Sequence, residues 1–324
     1  MKSIKSFVVF GVIFAVAIIS GVAIGSIYVS SLSPEINTSA MTEAELRGDQ
    51  EEIAKLYEDA ISGRKTSFDA VELFQIAEYK LKQTPRYVKV LSGKVTSGAF
   101  GKTVTQDMLT NKIVTEDGVT YLKMSRTGAE GLAPSMAVKV QYFNDDKDNV
   151  YIIETRDKDD ILGDNFDNYR LNLDDHEPTK WSIEDYKKFF NTTPDTPLTF
   201  IVSNITCQQG NYTKDVKKNA DGNYEFEIEI TDAYAAYAAY YYSYEIRHYS
   251  EDPIPTTPPT TGQLPGWTSI KIKAVVDSDF NFVRIDYTEN YSVKKVIITA
   301  PVTDNFSDVF YYDEETISKY IESI

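Results

Sequence analysis

The stretch Tyr224-Glu-Phe-Glu-Ile-Glu-Ile230 decides the fold class. Apolar and charged side chains alternate without a fault, so Tyr224, Phe226, Ile228 and Ile230 share one side and Glu225, Glu227 and Glu229 the other. A period of two belongs to a strand with one buried and one wet face, the habit of antiparallel sheets. Outward from it, the same period recurs over 87–92, 104–114, 120–125, 136–143 and 150–155. Turn signals such as Asp117-Gly118 and the Asn144–Asp148 run separate these stretches, with no intervening helices to make parallel crossovers. Further strands are expected over 198–206, 268–276, 282–288, 293–300 and 309–312.

Helical signals are few and lie at defined places. Thr42 to Glu45 reads as a capping box, followed at helical spacing by Leu46, Ile53, Leu56, Tyr57 and Ile61, with Gly63 as the stop. A second helix begins near Thr66–Asp69 and is barred by Pro85. Ser182 to Asp185 opens a short helix to about Phe190, Asp232 caps a helix from Ala233 to about Tyr249, and the tail from Glu314 to Ile324 reads as helix. The chain therefore divides into a stub and apolar segment (1–31), a linker (32–41), a helical segment (42–85) and a β-rich domain with inserted helices (86–324).

At the N-terminus, Lys2 and Lys5 precede an uncharged stretch, and Phe7 to Val29 is apolar for about 23 residues, where about 20 in a helix cross a bilayer core. Glu35, Glu43 and Glu45 follow, so the charge bias leaves the N-terminus in the cytoplasm and exports the rest. Ala23 and Gly25 also offer small residues at signal-peptidase spacing, so anchor and cleaved leader both remain open; each puts the domain outside. No Cys follows the apolar run to support lipoprotein processing. Gly21 and Gly25 have the spacing of a helix-dimerising pair.

Composition narrows function. With 33 Lys and Arg against 49 Asp and Glu, the formal charge is -16, which excludes a phosphate-neutralising nucleic-acid surface. Cys207 is the sole cysteine, so neither an internal disulfide nor a thiolate zinc cluster is available. His176 and His248 are the only imidazoles and neither stands beside a nucleophile motif, so no catalytic residue is assigned. The acidic loop 157–175 lacks the ligand order of a calcium loop, and no metal or cofactor is expected. The most unusual segment is the helix after Asp232, where Tyr234, Tyr237, Tyr241 and Tyr244 fall on one stripe with alanines between. Tyrosine carries an apolar ring with a polar tip, so such a stripe suits the wall of a pocket for an amphiphile. Its other reading is a helix that plugs the sheet.

The stretches Trp181–Tyr186, Gly222–Phe226, Trp267–Lys273, Val276–Phe282 and Tyr287–Tyr291 carry a resemblance over roughly 86–313. In them the chain resembles membrane-anchored envelope proteins of Gram-positive type, themselves similar to the lipoprotein-carrier (LolA-like) half-barrel superfamily. The resemblance implies an α+β fold: a curved antiparallel half-barrel with helices packed across its concave face, and a cavity between them for an acyl chain or other apolar ligand. The retained anchor departs from the soluble carriers. Together these readings predict a cell-membrane protein of the envelope that binds a lipid-like ligand without catalysis. The alternative is a structural or partner-binding envelope module whose core is filled.

Overall fold

The computed structural model describes residues 47–99, 102–115, 120–126, 137–143, 148–155, 161–162, 170–171, 177–190, 198, 201–204, 206–207, 215–230, 266–295 and 298–322. The apolar N-terminal segment and the Tyr-rich segment lie outside the described residues. Among the described residues, no helix is long and apolar enough to cross a membrane.

The chain is α+β and built on one antiparallel sheet. Among the described residues two helices come first, α1 (Gln50–Ile61) and α2 (Ala70–Gln83). Strands β1 (Tyr87–Ala99), β2 (Lys102–Val114), β3 (Thr120–Arg126), β4 (Ala137–Phe143) and β5 (Asn149–Thr155) follow as a meander. A small separate pair, β6 (Ile161–Leu162) and β7 (Arg170–Leu171), precedes β8 (Thr179–Ser182) and α3 (Ile183–Phe190). The second half holds β9 (Lys217–Lys218), β10 (Tyr224–Ile230), β11 (Gly266–Val276), β12 (Phe282–Lys295), β13 (Ile298–Tyr311) and α4 (Glu314–Ile321). Among the described residues the main sheet has 11 strands in the order β8-β5-β4-β3-β2-β1-β13-β12-β11-β10-β9. Strand β1 therefore sits between β2 and β13, and the two halves of the chain join at the sheet's middle through ten Cα pairs from Val88↔Tyr311 to Ser97↔Val302.

Register assigns the faces. On the inner face lie Phe226, Ile228 and Ile230 of β10, Ile270, Ile272 and Ala274 of β11, and Ile285, Tyr287, Phe306 and Phe310 of β12 and β13, all buried. Helix α2 covers this end. Its Asp69 and Glu72 form a capping box, and Leu73, Phe74, Ile76 and Ala77 have no exposed surface. The Phe74 ring meets Phe282 at 5.1 Å, and Phe282 meets Phe310 at 5.5 Å. Each such side chain contributes about 1.5–3 kcal/mol by leaving water, so the space between α2 and the sheet is a packed core. Helix α3 seals the far end of the same face, where Val150, Ile152, Trp181 and Tyr186 cluster.

Four expectations need correction. The helix read as continuous from Thr42 to Gly63 is interrupted at Gly48 (φ 81), and α1 restarts with the Asp49 side chain as cap. An isolated glycine within a helical pattern was the available signal, and it acts here as a break. Where a strand was expected over 198–206, the described residues around Ser203 make a turn: the Ser203 N–H donates to Thr206 Oγ1, and the Thr206 N–H donates to Ser203 Oγ, so hydroxyls replace a ladder. Two long strands, β12 and β13, of 14 residues each stand where three short ones were expected. Their inward positions include Glu289, Asp304 and Asp308, which break the apolar period without breaking the strand. Finally, the helices do not all share one face: Ile317 of α4 packs on Val88 and Ile113 of the outer face.

Candidate functional site

The candidate residues Tyr234, Tyr237, Tyr241 and Tyr244 lie outside the described residues. The described part offers three places where polar or aromatic chemistry is concentrated.

The first is the middle of the inner face, between the ends that α2 and α3 cover. Like charges stand directly opposite each other there. Lys89 pairs in register with Lys112, and Glu289 with Asp304. Their exposures are 5%, 2%, 0% and 4%, and Asp308 has 0%. Like charges facing across a ladder destabilise it unless other groups intervene. Lys89 Nζ lies 3.3 Å from Asp308 Oδ2, and the Tyr291 hydroxyl donates to Asp304 Oδ2 at 3.0 Å. The two like-charge rows are six residues apart on β1, about 20 Å along the strand. This interior is charged and hydrogen-bonded, unlike the lining an acyl chain alone would select. Among the described residues, no group of three or more His, Cys, Asp or Glu is placed to hold a metal.

The second is a depression of about 400 Å³ on the outer face, lined by Ser92, Lys271, Lys273, Asp286, Asn305 and Ser307 among others. Its polar groups engage one another: Arg284 forks onto Asp286 at 2.8 Å, Lys271 pairs with Glu227 at 3.8 Å, and Thr288 bonds Asn305 at 3.0 Å. On the same face Tyr121, Tyr142 and Tyr151 form a cross-strand ladder ending at Lys180. Tyr142 and Tyr151 stack at 5.1 Å and 12°, so those ring faces cover each other rather than a ligand. Partial burial raises the phenol pKa of Tyr121 and Tyr142.

The third is a cleft of about 480 Å³ where helices and sheet meet, between the α1–α2 loop and the β11–β12 turn. Gly63 (φ 71) ends α1 and turns the chain into the loop that carries Lys65, Thr66 and Phe68. Phe68, Tyr224 and Phe280 form the floor, with centroids 5.6 Å (Phe68–Phe280), 6.2 Å (Phe68–Tyr224) and 6.1 Å (Tyr224–Phe280) apart. Three lysines stand round it. Lys218 Nζ lies 4.6 Å from the Tyr224 centroid and Lys65 Nζ 5.9 Å from that of Phe68. Lys65 also pairs with Glu72 at 2.8 Å, and Lys80 donates to the carbonyl of Asp279. Among the described residues no carboxylate lies within ion-pair distance of Lys218.

Phe280 occupies a conformation that side chains avoid. The β9–β10 and β11–β12 turns share one hydrogen-bond pattern. Asn219 N–H donates to Asn223 O, and Asp277 N–H to Asn281 O, both at 2.9 Å. The Asn219 side chain accepts from Asp221 and Asn223, and that of Asp277 from Asp279 and Asn281. The left-handed position is Gly222 (φ 84) in one turn and Phe280 (φ 64) in the other. Glycine takes this geometry freely, whereas a side chain there costs about 1–2 kcal/mol. Burial of the Phe280 ring, 6% exposed, offsets that cost. Sequence reasoning missed this cleft because its parts come from three distant segments, although the parallel between Asn219–Asn223 and Asp277–Asn281 was a readable signal.

No family model and no curated protein matches the chain. The chain is weakly similar to a DUF1329 family protein from Desulfovibrio piger, with 11% identity, a TM-score of 0.25, and 81% of this chain and 93% of that one covered. It is also similar to an inactive mutant of the CurK dehydratase, at 14% identity, a TM-score of 0.13, and coverage of 74% and 81%. At those TM-scores neither likeness carries fold or function over to this chain.

Proposed function

We propose that this chain is a membrane-tethered protein of the cell envelope that binds an amphiphilic ligand without catalysing its conversion. The single observation that supports the reading best is the cleft at the junction of helices and sheet: its volume of about 480 Å³ lies in the range of small-ligand sites, and its floor is aromatic. In this reading the antiparallel sheet is the wall of a LolA-like half-barrel, α2 and α3 lie within its concave side, and the apolar segment 7–29 holds the domain at the outer surface of the membrane. The packed space beneath α2 directs the ligand to the edge of that core. The lysines beside the cleft's aromatic floor, Lys65, Lys80 and Lys218, favour an amphiphile over a bare hydrocarbon.

The packed core also supports a second reading, a structural or partner-binding envelope module with no ligand. The two separate on one experiment. The full chain is expressed in a bacterial membrane, extracted in amphipol and analysed by native mass spectrometry. The binding reading expects a stoichiometric bound amphiphile that is released on denaturation; a chain carrying no adduct supports the structural module.

A further inference from the structure

Resting on that reading, we propose that the cleft selects an anionic amphiphile: one carboxylate, sulfonate or phosphate-type head on a ring-sized apolar body, the head held by Lys218 and the body laid on Phe68 and Tyr224, which the buried Phe280 supports. The chain carries a formal charge of -16, yet three of the residues lining this cleft, Lys65, Lys80 and Lys218, are cations, against the single carboxylate Asp279. Such a local reversal of sign attracts an anion to a place the rest of the surface repels it from. The lysines are also not equivalent. Lys65 has its charge answered by Glu72, and Lys80 is engaged by the Asp279 carbonyl. Lys218 has its ammonium 4.6 Å above the Tyr224 ring as its recorded partner. Lys218 is exposed, and a cation over an aromatic face is positioned by the ring while it keeps donors for an anion.

The floor specifies the rest of the ligand. Tyr224 and Phe280 lie nearly parallel, 10° between their planes, and Phe68 stands edge-on to Phe280 at 78°. Phe280 is buried and supports the half-buried Phe68 and Tyr224, whose open surface a flat or short-chain body can cover while its head reaches the ammonium. Phe280 completes that floor from a left-handed backbone position that its sister turn gives to Gly222. Observed strain of this kind concentrates at ligand sites.

The test uses the full chain in amphipol and three probes read by fluorescence anisotropy and competition: naphthalene-2-sulfonate (head and body), 2-naphthol (body alone) and inorganic sulfate (head alone). The sulfonate is expected to bind about fivefold more tightly than the naphthol, the worth of one partly exposed ion pair. Lys218→Met should abolish that preference and leave naphthol affinity unchanged. Phe280→Gly, which suits the backbone, should weaken both ring-bearing probes. Equal affinity for sulfonate and naphthol, or no effect of Lys218→Met, overturns the anion selectivity while leaving a general amphiphile site standing. Sulfate competing as strongly as the sulfonate assigns a free-anion site and overturns the amphiphile. No probe binding, with no adduct in native mass spectrometry, sinks the selectivity and the binding reading together.

Discussion

Lys89 and Asp308 face each other inside the sheet, Nζ to Oδ2 at 3.3 Å across β1 and β13, with side-chain exposures of 6% and 0%. The contact joins the first strand of the sheet to the last. A buried pair is weak evidence for stability, but removing one member takes compensation away from the buried charge of the other. Lys89→Met is therefore expected to lower unfolding free energy by about 3–5 kcal/mol, while Lys89→Met combined with Asp308→Leu recovers most of the loss. Urea denaturation of the three variants measures this; a double variant no better than the single one would contradict it.

Gly93 predicts a second effect. It lies on the inner face of β1 opposite Phe306, and a Cβ there would stand 2.2 Å from the Asn305 carbonyl and 2.8 Å from the Phe306 Cα. Backbone cannot step aside cheaply, so Gly93→Ala should destabilise by about 1–3 kcal/mol although alanine is the better residue for an ordinary strand. Thermal melting of the variant decides it, and an unchanged or raised Tm would count against the geometry.

Phe280 predicts an inversion of the usual order. Phe280→Ala removes the ring and keeps the left-handed strain; Phe280→Gly removes both. The glycine variant should be the more stable of the two by about 1 kcal/mol, where glycine elsewhere in a chain costs stability relative to alanine. Paired denaturation curves give the difference directly.

Cys207 supplies a pH dependence. Burial pushes its thiol up to about 11 from an ordinary 9.0, against smaller opposing hydrogen bonds from Thr206 and Ser203. The raised value means the folded chain holds a proton that the unfolded chain gives up. Stability from this group is complete below pH 9 and is lost as pH rises towards 11. Cys207→Ala should therefore flatten the alkaline fall in stability between those limits, and the native thiol should resist alkylation at pH 8. Parallel slopes for the two proteins would refute the assignment.

Much of the fold was legible because its strands obey a simple period. The alternation of Tyr224–Ile230 fixed a face, and the run Thr66–Asp69 marked the approach to α2, whose cap is Asp69. What escaped has a physical cause in each instance. Glu289, Asp304 and Asp308 point into the sheet, so pattern reading cut β12 and β13 into pieces. Ser203 and Thr206 bond each other and turn a strand-like run into a turn. The side of the sheet chosen by α4 depends on Val88 and Ile113, remote in sequence, for which local spacing holds no signal. The cleft is likewise non-local. The tyrosine stripe, the site suggested by sequence, rests on residues outside the described part of the chain.

The measurement closest to the central claim is hydrogen–deuterium exchange of the full chain with and without naphthalene-2-sulfonate. Ligand in the cleft should slow exchange in the α1–α2 loop around Lys65–Phe68 and in the turn Asp277–Asn281, leaving β1, β2 and α4 as they were. Protection that falls elsewhere, or none at saturating probe, would contradict the account.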